Sequence, residues 1–185
     1  MGTQEANIKL DLLLDGCREL RISIDQHQER QFSRHYTILA DWNKRINLTS
    51  IVAPEAVQTL HFLDSLTVAN ALPAGTLHSG RVLDIGAGAG FPGIPLKIAF
   101  PGIKLELIEA TTKKVKFLDH LVDHLGLDGV EVRLGRAEDL ANNPNLRESF
   151  DVVLARGLAK MAALAELTLP FLRPGGLLVA HKKGN

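Results

Sequence analysis

The sequence predicts an α/β protein: a doubly wound, mostly parallel sheet with an N-terminal helical extension. Three observations carry that expectation. After residue 80, short apolar runs alternate with amphipathic helical stretches, as repeated β–α units require. Before residue 80, apolar residues recur at helical spacing. The junction holds Val82-Leu83-Asp84-Ile85-Gly86-Ala87-Gly88-Ala89-Gly90-Phe91-Pro92-Gly93, which reads as a strand, a tight glycine turn and a helix start. The expected division is 1–79 for the extension and 80–185 for the sheet, packed as one domain.

Within the extension, Ile8, Leu10, Leu12, Leu13 and Leu14 begin an apolar stripe that ends near Leu20. Asp25 with Gln28 forms an N-cap pair before a second helix carrying Phe32, Tyr36, Leu39 and Trp42. Pro54 suits a first helical position, and Val57, Leu60, Leu63 and Leu66 should share one side of the helix it starts. Pro73, Gly75, Ser79 and Gly80 mark the boundary. Strands are expected at Arg81–Ile85, Lys104–Ile108, Val130–Leu134, Asp151–Ala155 and Leu177–His181. Between the second and third, Val115, Leu118, Leu121, Val122 and Leu125 should face inward, with Gly126 ending the helix.

Composition narrows the class. A chain of 185 residues, 45% hydrophobic and 23% charged, fits one soluble globular domain. No apolar run approaches the roughly 18 residues that span a bilayer. Met1-Gly2-Thr3-Gln4-Glu5 lacks the pattern of a secretory signal. Cys17 is the single cysteine and cannot form an internal disulfide. The expected setting is cytoplasmic, without a membrane, as a monomer. With 21 basic and 21 acidic residues, binding of nucleic acid through bulk charge is disfavoured, whereas a local basic face is not.

In a doubly wound sheet, ligands bind beyond the carboxyl ends of the strands, where Gly86, Gly88 and Gly90 fall. The turn alone is ambiguous, since Gly88-Ala89-Gly90-Phe91-Pro92-Gly93 also fits the dinucleotide pattern. Glu109, closing the second strand, would bind the ribose of either NAD or S-adenosylmethionine. Three features favour S-adenosylmethionine. Asp84 would meet its ammonium or sulfonium end and repel a pyrophosphate. Ala137 and Glu138, after the third strand, suit an adenine edge. Arg156 ends a fourth strand that delivers a polar residue to the mouth. The series resembles the class I S-adenosylmethionine-dependent methyltransferases, with their Rossmann-like fold.

Three segments resemble one family more closely: Trp42-Asn43-Lys44-Arg45-Ile46-Asn47-Leu48-Thr49-Ser50, His61-Phe62-Leu63-Asp64-Ser65-Leu66, and Asp84 to Pro95. They are similar to the bacterial 16S ribosomal RNA guanine-N7 methyltransferases, formerly called glucose-inhibited division protein B. The likeness runs from about residue 10 to the end. It implies cofactor contacts at Gly86, Phe91, Ala137, Glu138 and Arg156, with Glu109, Ala110 and Thr111 around the ribose. It also implies a guanine near the decoding site of 16S rRNA as target, met in free RNA or in the 30S subunit. Family members continue past the fifth strand with a helix and a closing antiparallel pair, so those strands are expected to be missing from a chain stopping at Lys182-Lys183-Gly184-Asn185.

Guanine N7 carries a lone pair and no proton, so transfer needs no general base, and no catalytic residue is assigned. Leu154-Ala155-Arg156-Gly157 lacks the Pro-Pro-aromatic motif of exocyclic amine methylation and the Pro-Cys of cytosine C5 chemistry. No metal is expected: His120 and His124 lie one turn apart but lack a third ligand. Lys113, Lys114, Lys116, Lys160, Lys182 and Lys183, with Lys44 and Arg45 on the extension, are candidate RNA contacts. The run at Lys113–Lys116 has a solvated face as its alternative reading, and Trp42 is equally readable as core anchor or stacking platform. His61 and Asp64 read either as a border of the cofactor or as a buried pair. Competing readings are a small-molecule methyltransferase, an NAD-dependent oxidoreductase and a non-enzymatic RNA-binding module.

Overall fold

Helix-ending contacts dock the extension onto the sheet layer. The computed structural model describes residues 8–73, 75–157 and 161–181. After α1 (Asp11–Glu19), Asp25 caps α2 (Gln26–Asn43): its carboxylate accepts from Gln28 N and Gln28 Oε1 accepts from Asp25 N, both at 2.8 Å. This is the expected reciprocal cap. The Gln28 amide then donates to the Ile98 and Ala99 carbonyls at 2.8 and 3.1 Å, at the end of α6 (Gly93–Ala99). Gln31 Nε2 donates to Leu125 O at 2.8 Å, at the end of α7 (Thr112–Leu125). One face of α2 therefore satisfies carbonyls that two helix ends leave without intrahelical partners.

The segment opened by Pro54 departs from a regular helix. It runs through α3 (Pro54–Val57), a π-helical turn at Gln58–Leu63, α4 (Asp64–Leu66) and a 3₁₀ stretch at Thr67–Ala71. The buried set is Val57, Gln58, His61, Phe62, Ser65 and Leu66, a spacing of four. The expected stripe assumed 3.6 residues per turn, and the wider π turn shifts it. Leu60 consequently faces out and is 52% exposed. Leu12 is likewise exposed, off the stripe of α1.

Beyond α5 (Thr76–Ser79) comes the sheet: β1 (Arg81–Ile85), β2 (Lys104–Glu109), β3 (Val130–Leu134), β4 (Phe150–Arg156) and β5 (Leu172–His181). The order is β3-β2-β1-β4-β5 with parallel pairing throughout. Four of the strands match expectation within a residue at each end. The fifth begins earlier, because Leu172 pairs with Phe150 before an irregularity at Pro174-Gly175-Gly176 and resumption at Leu177 opposite Val152. Short α8 (Ala137–Leu140) and α9 (Met161–Thr168), with a 3₁₀ turn at Leu169–Phe171, complete the described elements.

Alternation along the strands splits the interior in two. Val82, Leu105, Leu107, Val152 and Leu154 share one cluster with Ile94 and Leu118 of α6 and α7 and with Leu13, Phe32, Leu39 and Phe62 of the extension. Leu83, Ile85, Ile108 and Val153 face the other way, onto Ala137, Leu146, Phe150 and Phe171. The extension thus completes the core of the first face. In α7, Leu118, Leu121 and Leu125 are buried as expected; Phe117 joins them, and Val115 and Val122 are only partly covered. Gly126 ends this helix in the left-handed region, φ 62°. Among the described residues no helix is long and apolar enough to cross a membrane.

The π-turn register makes a prediction that separates it from a regular helix. Leu66→Ala should cost about 2–5 kcal/mol, as a fully buried leucine does. Leu60→Ser should stay within about 0.5 kcal/mol of wild type. Urea denaturation of the two variants checks this; a regular helix would make both costly.

Candidate active site

Parallel register brings the expected site segments to one edge. Ile85 lies opposite Ile108 and Ala155, Glu109 opposite Leu134, and Arg156 opposite His181. The chain leaving these strands includes the Gly86–Gly90 turn, Ala110 and Thr111, the segment leading to Ala137 and Glu138, and Arg156 itself. Open concavities lined by Arg147, Leu169 and Arg173, and by Thr76, Ser79 and Asp151, lie at the opposite strand ends and contain none of these residues.

The glycine turn owes its shape to three residues with positive φ: 70° at Gly86, 55° at Gly88 and 84° at Gly90. L side chains rarely adopt such angles. Gly86 N and Ala87 N both donate to Ile108 O, at 2.8 and 3.1 Å. Gly88 N donates to Glu109 Oε2 at 3.0 Å, and Thr111 N to Glu109 Oε1 at 2.9 Å. The nearly buried Glu109 therefore ties the turn after β1 to the turn after β2. Each carboxylate oxygen keeps capacity for a further donor. A Cβ at Gly88 would meet only Gly86 O, at 3.7 Å, so space stays open in front of the loop. One at Gly90 would lie 2.8 Å from Ile94 Cγ1.

Asp84 lies in β1 beneath the glycine turn. It is fully buried, and its Oδ2 accepts from Gly93 N at 2.8 Å, holding the first residue of α6. Its Oδ1 has no hydrogen-bond partner among the described residues. Burial raises its pKa to about 7; the Gly93 amide and the Arg156 charge oppose that rise, and Glu109 adds to it. Phe91 is buried at the end of the turn. Its ring is packed into the extension, stacked on His61 at 4.3 Å and 15° and on His35 at 5.2 Å and 16°. Ala137 is buried at the start of α8, while Glu138, Ala110 and Thr111 are exposed.

Arg156 is clasped from above. Its Nη2 donates to Leu60 O at 2.8 Å and lies 3.0 Å from Asp64 Oδ2; Nη1 has no partner among the described residues. His181 Nε2 stands 3.7 Å from Asp64 Oδ1. His61 Nε2 meets Thr49 Oγ1 at 2.8 Å, while Asp64 turns to Arg156 and His181. His35 was not legible as a site neighbour. Burial lowers its pKa to about 3, which keeps the imidazole neutral.

The Trp42–Thr49 segment has a structural cause. Asn43 Oδ1 accepts from Leu48 N and Thr49 N at 2.9 and 3.0 Å, and Nδ2 donates to Thr49 O at 2.9 Å. Trp42 is half-buried against Phe117 and His120, an anchor between α2 and α7, with Arg45 over its ring. Lys44 and Arg45 are exposed beside Asp41, with which both pair. Lys113 and Lys116 are exposed and Lys114 half-buried where α7 leaves the site edge. Lys160, Lys182 and Lys183 lie outside the described residues. Among the described residues no group of three His, Cys, Asp or Glu could hold a metal; the His120 and His124 rings pack on each other at 3.7 Å.

Two predictions follow from this geometry. Gly90→Ala should lower stability by more than Gly88→Ala, since only the former adds a clash to the strained φ; thermal unfolding decides between them. Asp84, whose folded pKa lies above its unfolded 3.8, favours the fold most below that value. That contribution is lost as pH rises to about 7. The stability of Asp84→Asn relative to wild type should therefore grow across that window in urea titrations, and a flat difference would contradict it.

Comparison with known proteins places the chain. A family model described as rRNA small subunit methyltransferase G matches residues 28–185. The ribosomal RNA small subunit methyltransferase G of Dehalococcoides mccartyi (strain CBDB1) is 49% identical over 173 residues, 94% of this chain and 72% of that protein. The protein of the same name from Caldanaerobacter subterraneus subsp. tengcongensis is 44% identical over 174 residues, with the same coverages of 94% and 72%. Among solved structures, a Geobacter sulfurreducens S-adenosylmethionine-dependent methyltransferase in complex with S-adenosyl-L-homocysteine aligns with TM-score 0.52 at 23% identity, over 80% of this chain and 54% of its own. A Corynebacterium glutamicum protein aligns with TM-score 0.58 at 18% identity, over 93% and 74%. The latter two likenesses concern the fold. On sequence, the chain belongs to the rRNA small subunit methyltransferase G family.

Proposed function

We propose that this chain transfers the methyl group of S-adenosylmethionine to N7 of a guanine in 16S rRNA, acting as a monomer in the cytoplasm on the free RNA or the 30S subunit. The observation that carries the reading is the Gly88–Glu109–Thr111 clamp at the strand ends, in a chain of this family. The residues suit the cofactor. Glu109 offers acceptor capacity to two ribose hydroxyls, and exposed Ala110 and Thr111 flank it. Gly88 leaves room for the nucleoside to approach the backbone, and Gly86 and Gly90 shape the turn through their positive φ. Ala137 and Glu138 take the adenine edge. Asp84 Oδ1 and Arg156 Nη1, buried and without partners among the described residues, suit a charged amino-acid end.

When bound, S-adenosylmethionine supplies an electrophilic methyl on a positively charged sulfur. The protein's part is to hold the guanine in line with that methyl and to exclude water, because N7 has no proton to remove. Orientation of this kind can contribute about 7–11 kcal/mol. Lys113, Lys114 and Lys116 lie beside the crevice, and Lys44 and Arg45 on the extension; all are proposed phosphate contacts, which would draw RNA despite zero net charge.

Thermal-shift titration should show stabilisation by S-adenosylmethionine and none by NAD, with Glu109→Ala losing most of the response. Stabilisation by NAD alone would remove the cofactor assignment. Mapping of N7-methylguanine in 16S rRNA should find one site missing from a strain without this protein. An unchanged map would remove the target.

A further inference from the structure

We infer that His61 is a positioning residue of the cofactor loop: the face of its imidazole, set by the π turn and by Thr49, holds Phe91 and thereby fixes the glycine turn in its receiving shape. This rests on the cofactor reading above and adds to it a residue from outside the sheet.

The turn is tied to the sheet through backbone amides. Gly86 and Ala87 bond Ile108 O, Gly88 bonds Glu109, and Gly93 bonds Asp84. Between Gly88 and Gly93 the chain passes Gly90, with φ 84°, and then Phe91, the largest side chain of the turn. A stretch this rich in glycine is costly to order unless something holds it. Phe91 supplies that hold by inserting among His35, His61 and Phe62, and the closest of these rings is His61, at 4.3 Å and nearly parallel.

His61 is in turn fixed at both ends. Its Nε2 meets Thr49 Oγ1, and Thr49 Oγ1 also accepts from Ile51 N at 3.1 Å. That contact selects one rotation for a ring whose outer torsion is otherwise broad. The π turn at Gln58–Leu63 sets the backbone. Taking one residue out of that turn would rotate His61 about 100° against the residues on the far side of it. The Asn43-closed loop, His61 and the glycine turn therefore form one continuous set of contacts.

The test is calorimetric binding of S-adenosyl-L-homocysteine to the full chain, with kinetics of methyl transfer to 16S rRNA. His61→Ala should weaken binding about five- to tenfold, in the upper part of the range a lost aromatic stack gives. His61→Phe keeps a flat ring and should stay within about threefold of wild type. His61→Leu, of similar bulk without a flat face, should resemble Ala and serves if Ala fails to fold. The loss should appear in KM for the cofactor, with kcat at saturation near wild type. Wild-type affinity in both Ala and Leu variants, or equal losses in Phe and Leu, would overturn the inference, as would a fall in kcat alone. A wild-type chain that binds no S-adenosyl-L-homocysteine would overturn the cofactor reading itself, and this inference with it.

Discussion

One carboxylate holds the crevice together. Glu109 ends β2 where the turns after β1 and β2 meet, and each of its oxygens accepts a backbone amide from one of them. Hydrogen bonds to an ionised acceptor are about twice as strong as neutral ones. They act here on a turn whose glycines give it much conformational entropy to lose. The remaining contacts at the strand ends depend on that anchoring. Gly90 can approach Ile94, and Gly93 can sit against Asp84, because the turn enters α6 along one path.

The helical extension supplies the other boundary. Gln28 and Gln31 end α6 and α7, while Gln58 ties the π turn to α1 by accepting from Leu13 N and donating to Lys9 O. Lys97 performs a related task within the sheet layer, where its buried ammonium donates to Pro101 O and Ile103 O. These polar side chains fix how helices meet; the burial of Phe32, Leu39 and Phe62 against the sheet layer supplies the larger favourable term. Separating the extension from the sheet would expose that cluster and leave the ends of α6 and α7 uncapped.

What the sequence disclosed was local. The boundaries of the first four strands, the Asp25–Gln28 cap, the Gly126 stop and the glycine turn are each written within a few consecutive residues, and each stands in the structure. Parallel order then placed Glu109, Ala137 and Arg156 at one edge. The contacts between distant segments were not legible. Phe91 meets His61 and His35 across 30 and more residues, and Arg156 meets Leu60 across 96. Periodicity also misplaced Leu60, because a 3.6-residue wheel has no way to represent a π turn. Asp84 was read only as a carboxylate near the cofactor's charged end, two residues before Gly86. In the strand its side chain turns under the loop, where Gly93 meets it.

The same distant contacts explain an apparent waste of stability. Asp84 Oδ1 and Arg156 Nη1 are both buried without a hydrogen-bond partner among the described residues, and such groups cost about 1–3 kcal/mol each. Arg156 is near enough for its charge to favour the Asp84 carboxylate, yet no hydrogen bond joins them. The reason lies above the sheet. The Leu60 carbonyl and Asp64, both on the extension, hold the other guanidinium nitrogen. A direct Asp84–Arg156 pair would satisfy both groups and close the edge between β1 and β4. Holding the guanidinium from the extension instead leaves one buried atom of each group without a hydrogen-bond partner among the described residues. The methionyl end of the proposed cofactor carries both charges, which is why the proposal sets it at these two groups.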